Sequence, residues 1–158
     1  MVDSTLMRKE RFFDDFTDRE LEIIAKITNE KDFELGETIF KESENGSSFY
    51  VLRSGEVKAY VSAPDGENFT LAIMKDGDIF GQMSFIDGQP RSATIMAISD
   101  VKTFVMEKTD FETIIDENPR LVHKILKKIV LNVHSIVRGM NSRYREMINY
   151  MWGRKRFT

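Results

Sequence analysis

The stretch FGQMSFIDGQPRSATI, residues 80–95, decides how this chain folds. A glycine precedes a short apolar run, a turn follows at Asp87-Gly88, and a single arginine then leads into small residues and a β-prone ending. After Gly81, residues 82–86 can make one helical turn. The first amides of such a turn lack intrahelical partners, and with the local dipole they attract an anion. Gly81 lets a ligand approach the backbone closely. Ten residues on, Arg91 can return to the same place with a planar fork that matches a phosphate. Ser92 and Ala93 are small, so their amides stay reachable. The apolar residues Leu71, Ile73, Met83 and Phe85 offer a surface for a base or a sugar. On the residues alone, two readings stand side by side: an anion cradle, or a tight hairpin whose arginine pairs with a nearby carboxylate. One arginine suits the single charge of a phosphodiester better than a triphosphate. The chain has neither GxxxxGK[ST] nor GxGxxG, which excludes P-loop and Rossmann sites.

The surroundings of this stretch are β-like. From Phe33 to Met106, short β-prone runs alternate with turn signals at Asn45-Gly46, Ser54-Gly55, Asp65-Gly66, Asp76-Gly77 and Asp87-Gly88, most of them about ten residues apart. Phe49, Val51, Val57, Ala59 and Val61 alternate as strands with one buried face do. That pattern predicts an antiparallel sandwich or barrel over residues 31–107. Residues 6–30 read as helical, with a capping box at Thr17-Asp18-Arg19-Glu20. A second box, Thr109-Asp110-Phe111-Glu112, predicts a short helix over 109–117. Asn118-Pro119 then opens a long helix over 119–150. The whole reads as one α+β domain, residues 1–158.

Along the long helix, Val122, Ile129, Ile136 and Tyr150 share one heptad position, and Leu126, Val133, Met140 and Met147 share the complementary one, with Arg143 interrupting the first set. Such a seam predicts a homodimer through this helix. Charge is segregated as well. Residues 1–119 hold 13 Lys/Arg against 25 Asp/Glu, and residues 120–158 hold 10 against one, so −12 and +9 sum to the net −3. The basic segment RYREMINYMWGRKRF, residues 143–157, is either a solvated helix end that complements the C-terminal dipole or a contact for an anionic partner.

Several chemistries drop out. Without cysteine there is no disulfide, thiolate nucleophile or Cys-ligated metal. The two histidines, His123 and His134, are too few for a His metal site and read as structural or solvent-facing. No nucleophile–base pair or carboxylate pair stands out, so an enzyme is not expected. No stretch approaches the apolar length of a membrane span and the N-terminus is not a signal peptide, which makes the cytoplasm the expected compartment.

The quoted stretch also resembles the phosphate-binding cassette of cyclic nucleotide-binding domains, the family of catabolite activators, regulatory subunits of cyclic-AMP-dependent kinase and gated channels. The glycine-to-arginine spacing and the ending Pro90-Arg91-Ser92-Ala93-Thr94 match the kinase version without a gap. Residues 49–57, FYVLRSGEV, and 77–81, GDIFG, resemble that family's early hairpin and its run into the cassette. The resemblance implies an eight-stranded, jelly-roll-like β barrel flanked by N-terminal helices and a long C-terminal helix. It implies that Arg91 binds the phosphate, with Gly81, Gln82, Met83 and Ser84 lining the ribose and phosphate and Ser92 or Ala93 adding a contact. Leu71 and Ile73 would flank the base, and Ile136 and Val137 of the long helix would cover it. The family's usual residue at position 82 is a glutamate that takes the ribose hydroxyl. Gln82 keeps the acceptor oxygen but not the charge.

The expected role is a sensor that binds cyclic AMP, with cyclic GMP as the other candidate, and relays occupancy through its C-terminal helix to an effector partner. Two alternatives stay open: a barrel that has lost its ligand, and the N-terminal part of a catabolite-activator-type regulator. Few residues follow the long helix, so DNA binding by this chain alone is not expected.

Overall fold

The computed structural model describes residues 2–156, with side chains through Gly153; the end of the basic segment lies outside the described residues. The chain divides into two compact units, Met1–Pro119 and Arg120–Thr158.

In the first unit, α1 (Ser4–Met7) is capped by Asp3, whose carboxylate accepts from the Thr5 amide at 2.9 Å. A 3-10 turn, Arg11–Phe13, follows. α2 (Asp18–Lys26) starts on the expected capping box: the Glu20 amide donates to Thr17 Oγ1 at 3.2 Å, and the Thr17 amide donates to Glu20 Oε1 at 2.9 Å. Leu21, Ile24 and Ala25 form its buried face. The helical segment expected over 6–30 is therefore interrupted, and it ends at Lys26. Thr28 to Phe33 instead pair with Met106 back to Val101 as β1. Cross-strand pairing here overrides local propensity.

Eight strands follow one another: β1 (Thr28–Phe33), β2 (Thr38–Phe40), β3 (Ser48–Ser54), β4 (Val57–Ser62), β5 (Asn68–Met74), β6 (Ile79–Phe80), β7 (Thr94–Ala97) and β8 (Val101–Glu107). They form two antiparallel four-stranded sheets, ordered β1-β8-β3-β6 and β2-β7-β4-β5. This is the expected α+β, eight-stranded architecture. Phe33, Phe40, Tyr50, Leu52, Val57, Phe80, Ile95 and Val105 belong to the barrel core.

A second apolar layer lies outside the first sheet. Phe49 meets Phe12 and Phe85 at 5.8 and 4.9 Å between ring centroids, and Phe13 meets Phe104 at 6.2 Å. β3 is thus buried on both faces, Tyr50 and Leu52 toward the core and Phe49 toward the N-terminal aromatics. The expected single buried face does not hold for this strand, because Phe12 of the N-terminal segment and Phe85 cover the other one.

α3 (Gln82–Asp87) sits between β6 and β7. α4 (Lys108–Glu112) continues directly from β8. The capping box expected at Thr109 does not form. Ser48 pairs with Glu107 at the end of the ladder, the helix starts one residue early, and Glu107 becomes its N-cap without a side-chain cap bond. The Glu107 carboxylate accepts from Ser48 Oγ at 2.7 Å instead. The second unit consists of α5 (Pro119–Arg156), 38 residues or about 57 Å of helix.

Candidate functional site

Between β6 and α3 the backbone turns on Gly81, whose φ is +81°. A Cβ there would stand 2.7 Å from the Ser48 carbonyl oxygen and 3.0 Å from Arg91 Nη1, so only glycine fits. α3 then presents Gln82 and Ser84, both buried, while Met83 is half exposed.

Arg91 returns to this point as the spacing predicts. Its side chain is buried at 5% exposure. Nη1 donates to the Gly81 carbonyl at 3.0 Å and Nη2 to the Ser48 carbonyl at 2.9 Å. The guanidinium carbon stands 4.0 Å from the centroid of the Phe40 ring. Nε is buried without a hydrogen-bond partner. The Arg91 backbone is tied on both sides to the loop after β2: Ser43 N donates to Arg91 O at 2.7 Å, and Arg91 N donates to Glu44 O at 2.9 Å. Gly46 completes the socket, since a Cβ on it would stand 3.1 Å from both Nε and Nη2.

Electrostatically this is a buried cation without a direct ion pair among the described residues. Burial pulls the Arg91 pKa down, and Tyr50, Glu107 and Glu44 push it back up. The guanidinium remains charged, because arginine does not give up its proton in proteins. Burial also raises the Tyr50 hydroxyl. Among the described residues no carboxylate forms an ion pair with Arg91; its acceptors are two neutral carbonyls. A buried charge left this way is costly unless a counter-ion arrives. Of the two readings of the stretch, the carboxylate-paired hairpin is the one this geometry excludes.

The other expected site residues are distributed unevenly. Ser92 is exposed beside Arg91 and Ala93 is buried at the start of β7. Leu71 stands at a bulge in β5, where Ala59 pairs with Ala72 and Tyr60 with Thr70. Ile73 pairs with Lys58, between the core positions Val57 and Ala59, so it is on the face turned away from the barrel interior. Ala72 and Met74 face inward in its stead. Ile136 and Val137 lie on α5 in the second unit, where both are partly exposed. Phe40, Gly46 and Ser48 went unread in the sequence. Ser48 acts through its carbonyl and has no side-chain signature, whereas the Asn45-Gly46 turn was visible without its purpose.

No group of three or more His, Cys, Asp or Glu suited to a metal occurs among the described residues, and no described helix is long and apolar enough to cross a membrane.

An eight-stranded barrel with a buried arginine folded back onto the turn between β6 and α3 marks out a class of domain. The comparison with known proteins gives that class its family: the cyclic nucleotide-binding domain matches residues 30–118, and the chain belongs to it. A CRP-like cAMP-activated global transcriptional regulator of Mycobacterium tuberculosis is 34% identical over 107 residues, covering 66% of this chain and 48% of the regulator. The cAMP-dependent protein kinase regulatory subunit of Colletotrichum orbiculare is 34% identical over 125 residues, covering 73% of this chain and 31% of the subunit. The chain thus spans half or less of the length of these relatives, both of which are regulators. In fold it is similar to a cyclic nucleotide-binding domain from Methylobacillus flagellatus, with a TM-score of 0.78, 24% identity and coverage of 88% of this chain and 78% of that one.

Proposed function

We propose that the chain is a cyclic-nucleotide sensor that takes cyclic AMP, with cyclic GMP as the competing ligand. The observation that carries this reading is Arg91, buried and charged, with its Nη atoms on two neutral carbonyls and no carboxylate in ion-pair contact among the described residues. A cyclic phosphate supplies the missing single negative charge, reached through Nε and by displacement of the carbonyl contacts. Gly81 leaves room for it. Ser84, Ser92 and the amide of Ala93 add donors, Gln82 accepts from the ribose hydroxyl, and Met83 and Leu71 give apolar contact. By name, the mycobacterial relative is cAMP-activated and the fungal one is the regulatory subunit of a cAMP-dependent protein kinase. Calorimetric titration of the purified chain with each nucleotide tests the reading: saturable binding is expected, tighter for cyclic AMP, and a chain that takes neither at millimolar concentration overturns it.

Gln82 tunes the affinity. A charge-assisted hydrogen bond is roughly twice as strong as a neutral one. Gln82→Glu should therefore tighten cyclic AMP binding by about tenfold. Unchanged affinity would show that residue 82 does not touch the ribose.

Occupancy is passed on through aromatic packing. Phe85 of α3 lies 4.9 Å from Phe49 and 5.0 Å from Phe111 of α4, so a shift of α3 moves α4 with it. Ligand then acts as a population shift between two packings, read out by an effector partner. On α5, Ile136, Met140, Met147 and Tyr150 of the heptad seam are exposed, which supports a homodimer through this helix. Met140→Glu/Met147→Glu should convert a dimer to a monomer in light scattering without unfolding the barrel; a monomeric wild type sinks this element of the proposal.

A further inference from the structure

We propose that the outer face of the sheet β2-β7-β4-β5 carries a second small-molecule site, for a neutral polyol of monosaccharide size, separate from the Arg91 cradle. A cavity of 310 Å³ opens there, lined among others by Thr38, Lys41, Tyr60, Ser62, Asn68 and Thr94. The strand register explains why these side chains converge. Tyr60 pairs with Thr94 and Ser62 with Asn68, and Lys58 and Tyr60 stand on the face opposite the core residues Val57 and Ala59. The cradle and the cavity therefore lie on opposite sides of one sheet.

The cavity has a braced wall. Glu42, also on its lining, accepts from the Ser62 amide at 3.0 Å through its carboxylate, and its own amide donates to Thr94 Oγ1 at 2.9 Å. Ser43 follows with φ +68°, the one non-glycine residue in the left-handed region among the described residues. Thr94 is buried at 7% exposure, accepts that one bond, and donates its hydroxyl proton to none of the described residues. A buried donor of this kind is ordinarily satisfied.

The lining chemistry selects the ligand. The volume is at the small end of ligand pockets, roughly 300–1,000 Å³. Five hydroxyls, of Thr38, Ser43, Tyr60, Ser62 and Thr94, and the Asn68 amide each both donate and accept, which matches a molecule that is itself all hydroxyl. Lys41 stands beside Glu42, so the lining has no net charge to hold an anion. An apolar ligand would strand the polar groups, at the full cost of their lost water.

Amide NMR of the full chain titrated with glucose tests this. Saturable shifts are expected at Glu42, Ser62 and Thr94, with a millimolar dissociation constant. Thr94→Val should weaken the binding about fivefold, as the loss of one neutral hydrogen bond does. Ser62→Val/Asn68→Leu changes two exposed positions and should abolish it while the rest of the spectrum stays dispersed. Shifts that grow linearly without saturation, equal saturation in the double variant, or saturation by inorganic phosphate but not glucose would each overturn the proposal. Loss of cyclic AMP binding bears only on the Arg91 cradle, so the two readings fail separately.

Discussion

Arg91→Ala lowers the affinity for cyclic AMP by about a hundredfold or more in calorimetry. Two charge-assisted hydrogen bonds to a phosphate, each worth about 1.5–3 kcal/mol, are lost together, and 1.4 kcal/mol is a factor of ten. The same substitution also touches the fold, and the two effects are separable. Without the guanidinium, the carbonyls of Gly81 and Ser48 lose their donor and Phe40 loses the group stacked on it. That should cost about 2 kcal/mol, some 4–8 °C in melting temperature for a chain of this size. Part is returned, since a buried cation without a counter-ion no longer needs to be housed. Calorimetry well below the melting temperature therefore reads the site and not the fold. Arg91→Lys sharpens the test: the charge stays, but an ammonium cannot bond both carbonyls in one plane or stack on Phe40. Its affinity should fall nearly as far as that of Arg91→Ala. Binding undiminished in Arg91→Ala would remove the cradle from the ligand site.

The meeting of Gly81 and Arg91 was legible in the sequence because it is local. Gly81 and Arg91 are ten residues apart on one excursion between two strands, and turn chemistry brings them together. What could not be read depended on distant partners. Thr28–Phe33 follows a helix and carries five polar residues, yet it forms an edge strand because β8 offers it six register partners. Thr109 has every local feature of an N-cap, but the ladder between β3 and β8 runs through Glu107 and starts the helix earlier. By the resemblance, Ile73 is expected beside Leu71 at the base. The bulge at Leu71 shifts the phase of β5, and a one-residue shift exchanges the faces. Residues that serve through their backbone, such as Ser48, leave no trace in composition at all.

Gly81→Ala should be the most damaging single methyl in the barrel unit's site. At φ +81° an L-residue incurs about 1–2 kcal/mol before any contact is considered. The added Cβ then meets two groups that resist displacement differently. The Ser48 carbonyl, 2.7 Å away, belongs to a strand paired on both sides, by β8 and β6, and cannot move without opening the ladder. Arg91 Nη1, 3.0 Å away, can rotate, but only by giving up its bond to the Gly81 carbonyl. The expected cost is about 2–4 kcal/mol in denaturant unfolding. A loss of cyclic AMP affinity of tenfold or more should accompany it, because the first turn of α3 and the arginine are displaced together. A Gly81→Ala chain with wild-type stability and affinity would mean that this turn relaxes freely, and the rigid coupling of Gly81, Ser48 and Arg91 would have to be given up.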